Sequence, residues 1–219
     1  MSMSMTWTFR PWLVALVTAL VLAATPAKAA LSTADQADVA RANEYLNTIV
    51  TLKARFLQDA PNGDEAQGTV YLWRPGRLRL DYDPPSPVQV YADGSSLIYY
   101  DKKLKQVTYL DLDSSPAGVL TRSEVNLNAS DLEVTKVSHG ADVLNITVVR
   151  RADRSQGSLT LVFSDHPFAL RQWRVVDPQG QVTTVALFAP QPGIPLDKDL
   201  FQFVDPKFAS PLNGVIPGR

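Results

Sequence analysis

The stretch Thr51-Leu52-Lys53-Ala54-Arg55-Phe56-Leu57-Gln58 decides the fold. Leu52, Ala54 and Phe56 fall on one face and Lys53 and Arg55 on the other, a period of two that only a strand with one buried face requires. Upstream the period differs. Val39, Ala42, Tyr45, Leu46 and Ile49 recur at three- and four-residue spacing after Ser32-Thr33-Ala34-Asp35-Gln36, which supplies a helix start, so one amphipathic helix precedes the strand. Downstream the alternation persists almost to the end. A first set of strands is predicted at Gln67–Trp73, Arg77–Tyr82, Val88–Ala92, Ser96–Asp101 and Gln106–Asp111. They are separated by Arg-Pro-Gly, Asp-Pro-Pro-Ser-Pro, Asp-Gly and Lys-Lys-Leu-Lys, where proline fixes φ and Asp93-Gly94 tolerates the positive φ of a tight hairpin.

A second set is predicted at Leu132–Ser138, Val143–Arg150, Ser158–Ser164, Leu170–Asp177 and Val182–Phe188. Short strands so evenly spaced imply an antiparallel meander that curls into a barrel or half-barrel. Between the sets, residues 114–130 break the alternation. Ser115-Pro116 there reads as an N-cap followed by proline at the first helical position, giving a short helix through Thr121 that could lie across the open side of a curved sheet. In Leu97-Ile98-Tyr99-Tyr100, Leu159-Thr160-Leu161-Val162-Phe163 and Val185-Ala186-Leu187-Phe188 neither face is polar. Two arrangements would cover both faces: a closed barrel with helices packed outside, or a curved sheet around a cavity for apolar chains.

Residues 1–29 read as a signal peptide. An apolar run of 13 residues, Trp12 to Ala24, follows Arg10 and ends in Pro26 and Ala27-Lys28-Ala29, so cleavage is expected between Ala29 and Ala30. The run is short of the roughly 20 apolar residues that span a bilayer. The remaining 30–219 suit one domain, since no linker, low-complexity tract or repeat divides them. There is no cysteine, which excludes disulfides, thiolate metal sites and a lipid attached through a cysteine beside the cleavage site. Without Arg10 and Lys28, 19 basic residues face 22 acidic ones, an acidic balance that argues against a nucleic-acid partner.

Catalytic patterns are missing from the sequence. The two histidines, His139 and His166, fall at predicted turns, and there is no Gly-x-Ser-x-Gly, P-loop, Gly-x-Gly-x-x-Gly or zinc spacing. The pairs Asp81/Asp83 and Asp111/Asp113 could serve acid–base chemistry or a hard cation, but they flank turns and read as solvated strand ends. No enzyme, metal or cofactor is expected. A binding function is.

Arg74-Pro75-Gly76-Arg77-Leu78-Arg79-Leu80-Asp81-Tyr82-Asp83-Pro84-Pro85 resembles the outer-membrane lipoprotein carrier protein family, LolA. The resemblance begins at the helix and the 51–58 strand, takes in Gly68, Trp73, Asp93-Gly94, Tyr99-Tyr100-Asp101 and Asp177-Pro178-Gln179-Gly180-Gln181, and closes at Phe201-Gln202-Phe203-Val204-Asp205-Pro206. It implies a mainly β protein with an α-helical lid, an unclosed antiparallel barrel of about 11 strands. It implies a periplasmic chaperone that takes lipoproteins from an inner-membrane ABC transporter of the LolCDE type, holds their acyl chains, and passes them to an outer-membrane receptor of the LolB type. The partners implied are those proteins and the acyl chains, with the carrier a monomer. An acyl chain of about 14 carbons left in water costs on the order of 11 kcal/mol, at roughly 0.8 kcal/mol per CH₂.

By the same resemblance Arg74 matches an arginine that hydrogen-bonds lid backbone, and Leu78 a hydrophobic position in the partner-docking region near the mouth. The expected cavity lining is Phe56, Leu72, Leu80, Tyr82, Leu97, Tyr99, Val119, Leu120, Phe163, Trp173 and Phe188. Plain readings stand beside these: Arg74 as a strand-end charge and Leu78 as core. The chain departs from the family at Ala117-Gly118, where larger aliphatic residues are common, and glycine weakens a helix by about 1 kcal/mol relative to alanine. A looser lid is the expectation there. A lipid-sensing regulatory module on the same half-barrel is the alternative function. Such modules carry a further C-terminal domain, for which the tail after Phe208 leaves no room. A secreted hydrolase lacks any candidate nucleophile.

Overall fold

The computed structural model describes residues 31–207; the expected signal peptide, its cleavage site at Ala29/Ala30 and the tail from Phe208 lie outside the described residues. Helix α1 spans Thr33–Thr48. Ser32 caps it, its hydroxyl accepting from the Asp35 N–H while the Asp35 carboxylate accepts in return from Ser32, a reciprocal box that satisfies otherwise orphaned amides. Its buried stripe is Val39, Ala42 and Leu46, with Tyr45 set edge-on against Phe163 and Phe168.

Six strands follow: β1 Thr51–Asp59, β2 Glu65–Trp73, β3 Arg77–Tyr82, β4 Val88–Asp93, β5 Ser96–Asp101 and β6 Gln106–Asp111. Helix α2, Pro116–Thr121, is capped by the Ser115 hydroxyl with Pro116 in the first turn, as its sequence predicts. Five more strands complete the sheet: β7 Leu132–Gly140, β8 Val143–Arg150, β9 Ser158–Asp165, β10 Phe168–Val176 and β11 Val182–Pro192. Short 3₁₀ turns at Arg154–Gln156 and Lys198–Phe201 were not foreseen.

All strands are antiparallel in one sheet ordered β6-β5-β4-β3-β2-β1-β11-β10-β9-β8-β7. Two meanders are therefore joined through the β1–β11 pair, and β6 and β7 form free edges instead of pairing. The sheet is unclosed, so the closed-barrel alternative fails. Register shifts in β1 against β11, in β10 against β9 and in β7 against β8 mark bulges, which increase local twist and bend the sheet around one face.

On that inner face sit Leu52, Ala54, Phe56, Val70, Leu72, Leu78, Leu80, Ile146, Leu161, Phe163, Val185 and Leu187, almost all excluded from solvent. Phe56 fills the space left by Gly68, where any Cβ would run into the Phe56 ring and the Asp81 carbonyl. The chain 122–131 after α2 packs back on α1. Asn47 donates to and accepts from the backbone of Val125 at 2.9 and 2.8 Å, and Asn43 accepts from the Leu127 N–H at 2.9 Å. Side-chain amides thus replace a β ladder between a helix and an extended segment.

The outer face of β2–β6 is covered by a strap formed by residues 198–205. Phe201 packs against Trp73, Phe203 lies among Tyr91, Tyr100 and Tyr109, the Tyr109 hydroxyl donates to Asp205, and Arg79 donates to the Leu200 carbonyl. This resolves the two-faced apolarity of Leu97-Ile98-Tyr99-Tyr100. Leu97 and Tyr99 face inward, while Ile98 and Tyr100 lie on the strap side. At β11 the same inference fails, because Phe188 remains 51% exposed on the outer face.

Candidate functional site

The inner face of the sheet and α2 enclose an apolar cavity of about 370 Å³. It runs from Leu78 and Leu120 at one end, past Leu80, Val90 and Leu97, to Tyr82, Tyr99 and Gln58 at the other, with Trp173, Val175 and Val185 as the opposite wall. Its volume lies within the roughly 300–1,000 Å³ of small-molecule sites. Almost every group around it is hydrocarbon. Gln58 accepts from the Tyr82 hydroxyl at 2.7 Å, and burial pushes the Tyr82 pKa up, so the phenol stays neutral and the cavity carries no charge.

Of the eleven expected lining residues, Leu80, Tyr82, Leu97, Tyr99, Leu120 and Trp173 meet in this cavity. The other five are placed elsewhere. Phe56 is buried against Tyr82, and Phe163 stacks on Phe168 beneath α1, both being core that the cavity does not reach. Leu72 lines a narrow cleft of about 20 Å³ below Arg74, and Val119 a shallow one on the β8–β9 side of α2. Phe188 is on the outer face because Val185 and Leu187 take the inward positions of β11. Leu78, expected near the mouth, is instead only 6% exposed at the closed end of the cavity.

Arg74 closes that end. It follows β2 in the Arg74-Pro75-Gly76 turn and is 6% exposed. Its Nε donates to the Leu120 carbonyl at 2.8 Å, and one terminal nitrogen donates to the carbonyls of Ile49, at 2.9 Å, and Leu46. These are last-turn and cap carbonyls of α2 and α1, where helix-end carbonyls lack the usual partners; the Leu46 carbonyl also accepts from the Ile49 N–H at 3.2 Å. Neither helix carries a basic residue in its last turn. One guanidinium therefore satisfies both C-termini and faces the negative ends of two helix dipoles. Burial pulls its pKa down to about 10, which still leaves it charged at neutral pH. Arg74 does stand at a strand end before proline, but buried and bonded to both helix ends.

The rest of the turn belongs to the same clasp. Gly76, at φ +76°, donates its N–H to the Thr121 carbonyl at 2.7 Å, and a Cβ there would sit 2.7 Å from the Gly94 Cα. Gly118 of α2 is buried so closely on Leu112 that a Cβ would run into the Leu112 carbonyl oxygen. This glycine is thus required by close packing, a physical reason for its presence other than looseness. Arg122, just past α2, pairs with Asp131 and holds that carboxyl below the ordinary carboxylate range.

The other end is open. Tyr99 is 44% exposed and Leu110, on the edge strand β6, 51% exposed, although both line the cavity. Leu110 escaped the sequence reading because Val107 and Leu110 have opposite parity in β6, so the strand alone does not reveal its inward face. Pro116, Ala117, Val90, Val175 and Val185 were missed as well. Their facing follows from register with Leu80, Leu97, Trp173 and α2, which only pairing sets.

The carboxylates form no such constellation. Asp81 pairs with Arg79, Asp83 with Arg55, and Asp111 accepts from the Ser114 N–H. Hydrogen bonding to Arg55 keeps the Asp83 pKa below its ordinary value. His139 lies 3.0 Å from Asp38, and among the described residues no cluster of three potential ligands could hold a metal.

A family model described as outer membrane lipoprotein carrier protein LolA matches residues 47–204. A curated outer-membrane lipoprotein carrier protein of Azotobacter vinelandii is 29% identical over 203 residues, covering 89% of this chain and 94% of its own. One from Alkalilimnicola ehrlichii is 30% identical over 186 residues, covering 80% and 82%. Among solved structures, a LolA superfamily protein from Nitrosomonas europaea aligns over 75% of this chain and 97% of its own, with a TM-score of 0.43 and 13% identity. With the match spanning both meanders and the strap, the chain belongs to the outer-membrane lipoprotein carrier protein family, LolA.

Proposed function

We propose that this protein is a periplasmic, non-enzymatic carrier that shelters lipoprotein acyl chains in the cavity between its sheet and α2 and delivers them to the outer membrane. The observation that carries the reading is an uncharged apolar cavity of about 370 Å³, clasped shut at Arg74 and open at Tyr99 and Leu110. The names of its curated relatives support the same cargo. Cargo would arrive from an inner-membrane transporter of the LolCDE type and leave to a receptor of the LolB type. No covalent step is needed, because transfer follows from differences in affinity between successive apolar sites.

In this reading Arg74 is the latch. Its bonds to α1 and α2 hold the lid, and their partial loss would let α2 move and the cavity widen. Protein spanning residues 30–219, mixed with spheroplasts, should release a native lipoprotein into the soluble fraction. A fluorescent fatty acid should bind and be displaced by unlabelled acyl chains. No release where a relative succeeds, together with no acyl binding, overturns the proposal.

A further inference from the structure

The two free edges of the sheet are built differently. At β7 the register shifts between Val134 and Lys136, Lys136 is exposed, Glu133 pairs with Arg154, and Arg151 donates to the Leu132 carbonyl at 2.9 Å. Bulges, charges and occupied carbonyls are the devices by which an edge strand is kept from pairing. β6 has them only at its last residue, Asp111, which carries the strand's one charge and whose carbonyl accepts from the Ser114 hydroxyl at 2.8 Å. Its register against β5 is unbroken from Gln106 to Asp111, no residue from Gln106 to Leu110 is charged or proline, and among the described residues nothing pairs on its far side.

We propose that β6 is a second binding site, one that takes the amino-terminal peptide of the cargo as an added antiparallel or parallel strand. The inference rests on the carrier reading above. A lipoprotein carries its lipid on the cysteine at its mature N-terminus, so with acyl chains in the cavity its first residues must leave over the rim. That rim includes Leu110, a residue of β6 itself, beside Tyr99 and Leu97 of β5. The nearest unfilled row of backbone donors and acceptors is therefore the outer side of β6, where alternate residues direct N–H and C=O away from β5.

At 3.4 Å per residue, six residues give an edge of about 20 Å, room for a tether of five or six residues. Main-chain pairing reads no side chains, which suits a carrier that must accept unlike cargo sequences. The inward row would continue Thr108 and Leu110, and the outward row would pass Tyr109, which Asp205 of the strap holds in place.

The test uses a synthetic peptide of six residues with a diacylglyceryl cysteine at its N-terminus, and palmitic acid as the control without a peptide. Amide hydrogen exchange is followed in the free protein and with each ligand. Protection of residues 106–111 that rises with the lipopeptide and not with palmitic acid is the expected result. N-methylation of two alternate peptide nitrogens in the same lipopeptide should weaken binding by about tenfold for the set that faces β6 and leave it unchanged for the other set. Equal exchange of β6 with both ligands overturns the proposal, as does an affinity that neither alternate set of N-methyl groups moves. So does protection of β6 in the free protein, because another segment or a second copy would then cover it. Binding of palmitic acid itself reports on the cavity, so its absence would condemn the carrier reading, whereas its presence without β6 protection would condemn only this one.

Discussion

The two ends of the cavity are made of different material. At the closed end a buried guanidinium, two helix C-termini and glycines at 76, 94 and 118 bring backbone against backbone, with each polar group satisfied by a named partner. At the open end Tyr99 and Leu110 line the same cavity while half exposed, with a bare sheet edge beyond them. Directional bonds in a dry site resist small displacements, whereas apolar rim contacts lose little when they slide. The difference assigns stability to one end and adaptability to the other.

The comparison breaks most readily at Arg74. Arg74→Leu removes three charge-assisted bonds and strands the Leu120 and Ile49 carbonyls, and should cost about 3 kcal/mol or more. For a domain of this size that lowers Tm by roughly 6–12 °C. Hydrogen exchange of residues 116–121 should quicken in step. A Tm within about 2 °C of the parent would mean the closed end does not depend on the clasp.

Gly118→Ala tests the packing reading of the lid against the helix-propensity reading. Alanine gains about 1 kcal/mol in the helix, but its Cβ has no room beside the Leu112 carbonyl, and overpacking costs about 1–3 kcal/mol. A net loss in urea denaturation is expected, and a gain would restore looseness as the reason for glycine.

Next come the rim substitutions Tyr99→Ala and Leu110→Ala. Each should change stability by less than about 1 kcal/mol, given its exposure, yet weaken fatty-acid binding several-fold by removing apolar wall. If either unfolds the protein, the rim is core and the contrast between the ends disappears.

The smallest effect concerns pH. Asp131, held by Arg122 behind α2, and Asp83, held by Arg55 beside β1, both have folded-state pKa values below the ordinary one, chiefly through those hydrogen bonds. Each contribution is therefore present above the unfolded carboxylate pKa, near 4, and lost as pH falls through the depressed folded value. Asp131→Asn should flatten the acid limb of a Tm–pH profile, and an unchanged limb would show the pair contributes nothing to holding the lid.

Alternation and turn residues were enough to locate the strands. Arg77–Tyr82, Ser96–Asp101, Gln106–Asp111 and Val143–Arg150 stand where their patterns place them, and the two helices start at Ser32 and Ser115 as their caps require. Those signals are local, each residing in a few consecutive residues whose own backbone chemistry enforces them. Apart from the two short 3₁₀ turns, the missed or misplaced features are non-local. Nothing near Phe201 or Phe203 announces that they lie on Trp73 and Tyr91, and nothing near Phe188 says that β11 turns it outward.

By itself, then, the sequence determined the periodicity, the caps, the turns and the absence of thiol chemistry, because these depend on neighbours along the chain. Only the tertiary structure decided that the two meanders join through β1 and β11 and leave β6 and β7 as free edges, that one arginine ends two helices, and that Leu78 and Leu110 lie at opposite ends of one cavity. Strand register and helix docking bring together residues tens of positions apart, and no local pattern encodes which of them will meet.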